Sequence, residues 1–93
     1  MLTDEQVLKM RMAIGFPVNN SFPRSSYLAY RNIFLSASED LDWEELVRQG
    51  FARKRNSQHG SVLHCYTLTE RGIVRLGEQM NCQIRYLQAV CQN

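Results

Sequence analysis

The stretch Leu46-Val47-Arg48-Gln49-Gly50-Phe51-Ala52-Arg53-Lys54-Arg55, followed after a turn-rich tip by Tyr66-Thr67-Leu68-Thr69-Glu70-Arg71-Gly72, changes its hydrophobic period twice. Up to Gln49 the apolar spacing is helical, and Gly50 supplies the stop that helices favour just past their last turn. Phe51 to Arg55 then leads into Asn56-Ser57-Gln58-His59-Gly60-Ser61, six residues rich in turn formers. Val62 to Leu68 is β-branched and aromatic and alternates imperfectly, which reads as the return strand of a β-hairpin. Thr69 is a helix cap immediately after it. Helix, hairpin, helix is the reading from which the rest follows.

Working outward, two more helix starts share this grammar. Leu2-Thr3-Asp4-Glu5-Gln6-Val7 offers Thr3 as cap, Gln6 as its reciprocal partner and Leu2 against Val7 as a staple. Leu41-Asp42-Trp43-Glu44-Glu45-Leu46 offers Asp42, Glu45 and the Leu41–Leu46 pair in the same roles. Gly15 and Pro17 end the first helix, expected over about 4–14, and Gly50 ends the second, expected over about 43–49. Residues 16–26 read as loop. Tyr27 to Leu35 fits either a helix, on Tyr27, Tyr30 and Phe34, or an extended segment, on Ile33-Phe34-Leu35. Trp43 and Leu46 are expected to pack with Val47, Phe51 and Leu68 where the short helix meets the hairpin, the alternative being an exposed Trp43 that anchors a partner.

The chain has 93 residues, 44% of them apolar and 22% charged, which suits one soluble α+β domain spanning 1–93. No apolar run approaches the roughly 18 residues of a membrane span, and acids at the start oppose a signal peptide, so no membrane partner and a cytoplasmic location are expected. Cys65, Cys82 and Cys91 are too few and too irregular for a disulfide framework. His59 and His64 have zinc-like spacing but no cysteine pair beside them, so no metal or cofactor is expected. The five glycines are scattered and form no phosphate loop. Cys65 and His64 are adjacent on a strand and point to opposite faces, which rules out a dyad. No catalytic residue is identified, and the protein is not expected to be an enzyme.

The element order and the quoted hairpin segment resemble the winged-helix wing of MarR- and PadR-type regulators. There a glycine turns the helix into the wing and a threonine caps the helix that leaves it. A second resemblance spans more of the chain: Met12-Ala13-Ile14-Gly15, Tyr30-Arg31-Asn32-Ile33-Phe34, Asp42-Trp43-Glu44-Glu45-Leu46-Val47, Gly50-Phe51-Ala52 and Tyr66 to Gly72 are similar to a family of short phage and prophage open reading frames without an assigned role. It implies a viral or integrated-viral origin, a bacterial host cell and no enzymatic activity. The fold expected is therefore winged-helix-like, with helices packed on a two- or three-stranded antiparallel hairpin.

Charge is divided unevenly. Residues 1–47 carry four basic and seven acidic groups, a balance of −3, and residues 48–93 carry seven and two, a balance of +5. Arg48, Arg53, Lys54 and Arg55 are the candidate nucleic-acid contacts of a basic wing. Against DNA stand Glu39, Asp40, Asp42, Glu44 and Glu45, carboxylates on the element that would enter the major groove. The leading expectation is thus an accessory protein that binds a host or phage protein, with Glu39, Asp40, Glu44, Tyr30 and Arg31 as candidate partner surface; a weak DNA-binding regulator is the alternative. Finally, Ile73, Leu76, Met80, Ile84, Leu87 and Cys91 keep helical spacing, so a helix over 70–92 about 34 Å long is expected. Its outer end, with Met80, Ile84, Leu87, Val90 and Cys91, is the candidate homodimer interface.

Overall fold

The computed structural model describes residues 1–16, 26–55 and 63–86. The expected hairpin tip at 56–61, His59, Leu87, Val90 and Cys91 lie outside the described residues. The order of elements is α1 (Asp4–Ala13), β1 (Ser26–Ala29), β2 (Phe34–Ser36), α2 (Leu41–Arg48), β3 (Ala52–Arg55), β4 (His64–Leu68), α3 (Glu70–Met80) and β5 (Gln83–Tyr86). Among the described residues this is a small α+β fold with three helices, an antiparallel sheet ordered β2-β4-β3 and a parallel pair β1-β5.

Helix α1 starts as its sequence dictates. The Gln6 amide donates to Thr3 Oγ1 at 3.0 Å and the Thr3 amide to Gln6 Oε1 at 2.9 Å, so two orphan donors are satisfied reciprocally. Leu2 is buried and Val7 packs beside the core. Gln79 of α3 holds the chain start by accepting from the Leu2 amide and donating to its carbonyl.

Helix α2 starts differently from expectation. Asp40, in extended conformation, is the cap and accepts from the Trp43 amide at 3.1 Å. Asp42 lies inside the first turn, where its charge suits the positive helix end but its side chain is past the amides a cap must reach. Leu41 is 83% exposed, so it makes no staple with Leu46. Gly50, at φ +86°, takes the left-handed turn that releases the chain into β3.

The hairpin forms as expected, with Ala52 opposite Leu68 and Arg55 opposite Cys65. The undecided segment after Tyr27 is extended and divides into two strands that join different sheets. Phe34 pairs with Tyr66 and Ser36 with His64, which places β2 on the free side of β4. Beyond the end of β2, buried Asn32 continues the pairing with its side chain, donating to the Leu68 carbonyl and accepting from the Leu68 amide.

Thr69 caps α3 through the Gly72 amide at 3.1 Å. Gly72 takes the place of a capping-box acid because the Phe51 carbonyl oxygen fills the space any Cβ would need there. The expected helix over 70–92 is corrected: α3 has 11 residues and stops at Asn81, which is left-handed at φ 56°, ψ 47°. The Cys82 amide closes back on the Gly77 carbonyl, and Gln83-Ile84-Arg85-Tyr86 becomes a strand beside β1, with Tyr27 opposite Ile84. Met80 and Ile84 satisfied a helical spacing, but Gln83 to Tyr86 also alternates polar and apolar, and that period prevails after the left-handed residue. A single helical stripe through Met80 and Ile84 therefore does not exist.

The core joins all three helices to one face of the three-stranded sheet. Trp43 and Leu46 are fully buried, Leu68 is buried, and Val47 and Phe51 pack against them as expected. The indole of Trp43 also stacks on Tyr66, with ring centroids 5.6 Å apart, and leans on Phe34 at 5.2 Å. Its N–H meets no acceptor among the described residues, so Trp43 contributes packing rather than hydrogen bonding. Trp43→Ala should cost about 3–5 kcal/mol in urea unfolding, while Trp43→Phe should retain most of the stability. Native tryptophan emission should be that of a buried indole; emission of a fully solvated one would contradict the packing.

Candidate functional site

The chain contains two lysines, Lys9 and Lys54, among its eleven basic side chains. Both are committed to the acidic start of α2. Lys9 Nζ, from α1, lies 2.8 Å from carboxylate oxygens of both Asp40 and Asp42. Lys54 Nζ, from β3, lies 2.8 Å from Glu44 and 3.2 Å from Glu39. The fifth carboxylate, Glu45, pairs with Arg48 one turn on and also accepts from Gln49. Tyr66 ties the two lysine clusters together, for its hydroxyl accepts from the Asp40 amide at 3.2 Å and donates to Glu44 at 2.6 Å. The Lys54 ammonium sits 5.8 Å from the centroid of the same ring.

The titration of these groups follows from their neighbours. Burial works to raise the pKa of Asp40, but the Lys9 ammonium and the Trp43 amide outweigh it and bring it below the ordinary value. Lys54 and the Tyr66 hydroxyl lower Glu44. Arg48, with Gln49, holds Glu45 down to about 2. Asp40 and Asp42 raise Lys9, and Glu44 raises Lys54, in both cases against partial burial. Tyr66 is raised by burial first and by the Glu44 carboxylate next.

The four cations expected to form one basic wing are therefore split. Arg48 pairs on the exposed side of α2, and Lys54 points to the helix side of the sheet. Arg53 and Arg55 are exposed on the opposite face, because alternate strand residues point to alternate faces. By register that outer face also carries Thr67 opposite Arg53, Cys65 opposite Arg55, and Leu35 opposite Cys65. Exposed Ile33 and Leu63 stand one residue before β2 and β4, in step with Leu35 and Cys65.

The expected partner surface is divided as well. Glu39, Asp40 and Glu44 belong to the lysine clusters. Arg31 donates to the Met12 carbonyl at 2.8 Å, at the last turn of α1, and stacks on Tyr30. The Tyr30 ring fills the space beside Gly15. Sequence reasoning missed Lys9 and Tyr66 as partners of the acids; the only signal was the scarcity of lysine beside nine arginines. It also missed the aliphatic row Ile33, Leu35 and Leu63.

No cluster of three or more metal-ligating side chains occurs among the described residues, and no described helix is long and apolar enough to cross a membrane. No family model, curated protein or solved structure matches the chain.

The pH dependence of stability follows in sign from these pairs. Asp40 and Glu44, depressed in the fold, contribute fully above their ordinary values of 3.8 and 4.5, and the contribution is lost as pH falls through their folded values. Lys9 and Lys54, raised in the fold, contribute fully below the ordinary 10.5 and lose it as pH rises through their folded values. The urea midpoint should thus be flat from pH 6 to 9 as far as these groups are concerned, and fall below pH 4.5. Replacing both lysines by Met should lower the plateau and flatten the acid limb; an unchanged acid limb would contradict the assignment.

Proposed function

We propose that this chain is a non-enzymatic accessory protein of phage or prophage type that acts in a bacterial host cell by binding another protein. The observation that carries this reading is the pairing of α2. All five carboxylates of residues 39–45 are satisfied by cations of the same chain, and those cations include Lys54 and Arg48, two of the four that a DNA-binding wing would need. A phosphate lattice would have to compete with fixed carboxylates 2.8 Å from Lys54, and would meet those carboxylates unpaired if it won. The β2-β4-β3 order, with α2 before the hairpin and α3 after it, supports a winged-helix-like reading of the fold. In that frame α2, with its acids, occupies the place of the reading helix.

The hollow beside α3, about 350 Å³ and lined by Phe51, Glu70, Arg71, Val74, Arg75 and Glu78, supports the non-enzymatic reading. Arg71 stacks on Phe51, Arg75 pairs with Glu78 and Glu70 accepts from Tyr86, so each of its charged groups is engaged in a structural contact. A weak DNA-binding regulator is the second reading, favoured by the exposure of Arg53 and Arg55 on the outer sheet face.

Gel retardation on random duplex decides between the two. With the wing's outward cations reduced to Arg53 and Arg55, the salt slope of log K should not exceed about −2, and no complex should survive 150 mM salt. Micromolar binding at 50 mM salt with a slope steeper than about −3, lost in an Arg53→Ala, Lys54→Ala, Arg55→Ala triple variant, would establish the DNA reading instead.

A further inference from the structure

The outer face of the β2-β4-β3 sheet differs from the rest of the described surface. Leu35, Cys65 and Arg55 form one row across the three strands, Thr67 and Arg53 pair in the next, and Ile33 lies just before β2 in step with Leu35. Leu35 is 54% exposed and Ile33 44%, so an aliphatic strip lies open along the β2 side, and Leu63, 39% exposed, adds to it at the start of the central strand β4. Arg53 and Arg55 line the β3 side and are exposed. Not one of the chain's nine carboxylates is on this face: five cluster at α2, two start α1 and two are on α3. The helices pack on the other face, through Tyr66, Leu68 and Ala52.

We infer that this face docks an amphipathic, acidic helix of a protein partner, aliphatic residues against Ile33, Leu35 and Leu63 and carboxylates against Arg53 and Arg55. This rests on the protein-binding reading above and names its surface and partner chemistry. Size and charge select the occupant. Three strands spaced about 4.8 Å apart put the aliphatic and cationic edges about 10 Å apart, the width of one α-helix with its side chains. A leucine stripe with glutamates along one flank meets both edges at once. A second copy of the chain packed on this face would bring no carboxylate to meet the arginines. Single-stranded nucleic acid needs aromatic platforms for its bases, and Ile33, Leu35, Leu63, Cys65 and Thr67 offer aliphatic and small groups instead.

The test uses the full chain, isotopically labelled, titrated at 150 mM salt with a synthetic helix-forming peptide. The peptide carries leucines at i, i+3, i+4 and i+7 and glutamates on one flank. Saturable amide shifts centred on Leu35, Cys65, Thr67 and Arg55 are expected, weakened more than tenfold when lysines replace the glutamates. The Arg53→Glu, Arg55→Glu double variant should bind more than tenfold more weakly while keeping a dispersed spectrum. If that variant does not fold, Arg55→Gln alone, at an exposed position, should weaken binding several-fold. No saturable shift at millimolar peptide, equal binding of the lysine peptide, or tighter binding of oligo-dT on this face would overturn the inference. A photo-crosslinker that captures a host protein from Leu8 of α1 and not from Leu35 would overturn the choice of surface while leaving the protein-binding reading intact. Retardation of duplex DNA as described above would instead remove that reading.

Discussion

Two ammonium groups hold the acidic start of α2 in place, and much of the molecule depends on that constraint. Residues 39–45 put five carboxylates into one short stretch, and like charges at that spacing repel unless cations intervene. Lys9 reaches in from α1 and Lys54 from β3, each across two carboxylates, and the positive end of the helix absorbs part of the remainder. With the acids neutralised, Trp43, which lies among them in the first turn of α2, can enter the core and stack on Tyr66. Tyr66 then does double duty, its ring under the indole and its hydroxyl between Asp40 and Glu44.

The same constraint divides the electrostatics of the sheet. Lys54 must point toward α2, so strand alternation sends Arg53 and Arg55 outward. Acids therefore concentrate on the helix side of the sheet and arginines on the outer side, although the two sets are neighbours in sequence. An uneven charge count along the chain becomes an uneven charge distribution in space along a different boundary. The basic wing suggested by the run Arg53-Lys54-Arg55 is a sum over both faces of one strand, and neither face carries all of it.

What was legible in the sequence was local. Thr3 with Gln6, Thr69 as a cap, Gly50 as a stop and the hairpin around Ala52 and Leu68 are written within a few residues of where they act. Trp43 was legible as core because it sits between helix and hairpin signals. The misreadings share one origin, a choice between two local patterns decided by a distant partner. Asp40 and Asp42 both look like caps, and Asp40 prevails because the chain turns helical at Leu41, which leaves Asp42 past the free amides, while Lys9 reaches both carboxylates. Gln83 to Tyr86 fits the end of a helix or a strand, and the pairing of Ile84 with Tyr27, far back in the chain, selects the strand. Arg31 and Tyr30 are exposed as their sequence suggests, but nothing near them in sequence shows the last turn of α1 that Arg31 also contacts. The acidic cluster was seen, but its neutralisation was not, since both lysines lie far from it or on another element.

Side-chain NMR of the two lysines measures the central constraint directly, because Lys9 and Lys54 are the only ε-ammonium groups in the chain. At pH 10.5, the ordinary lysine midpoint, the account predicts that both remain more than half protonated, held by Asp40 with Asp42 and by Glu44 with Glu39. If either lysine is half deprotonated or more at that pH in the folded protein, it is not clamped by those carboxylates, and the account of how α2 is held is wrong.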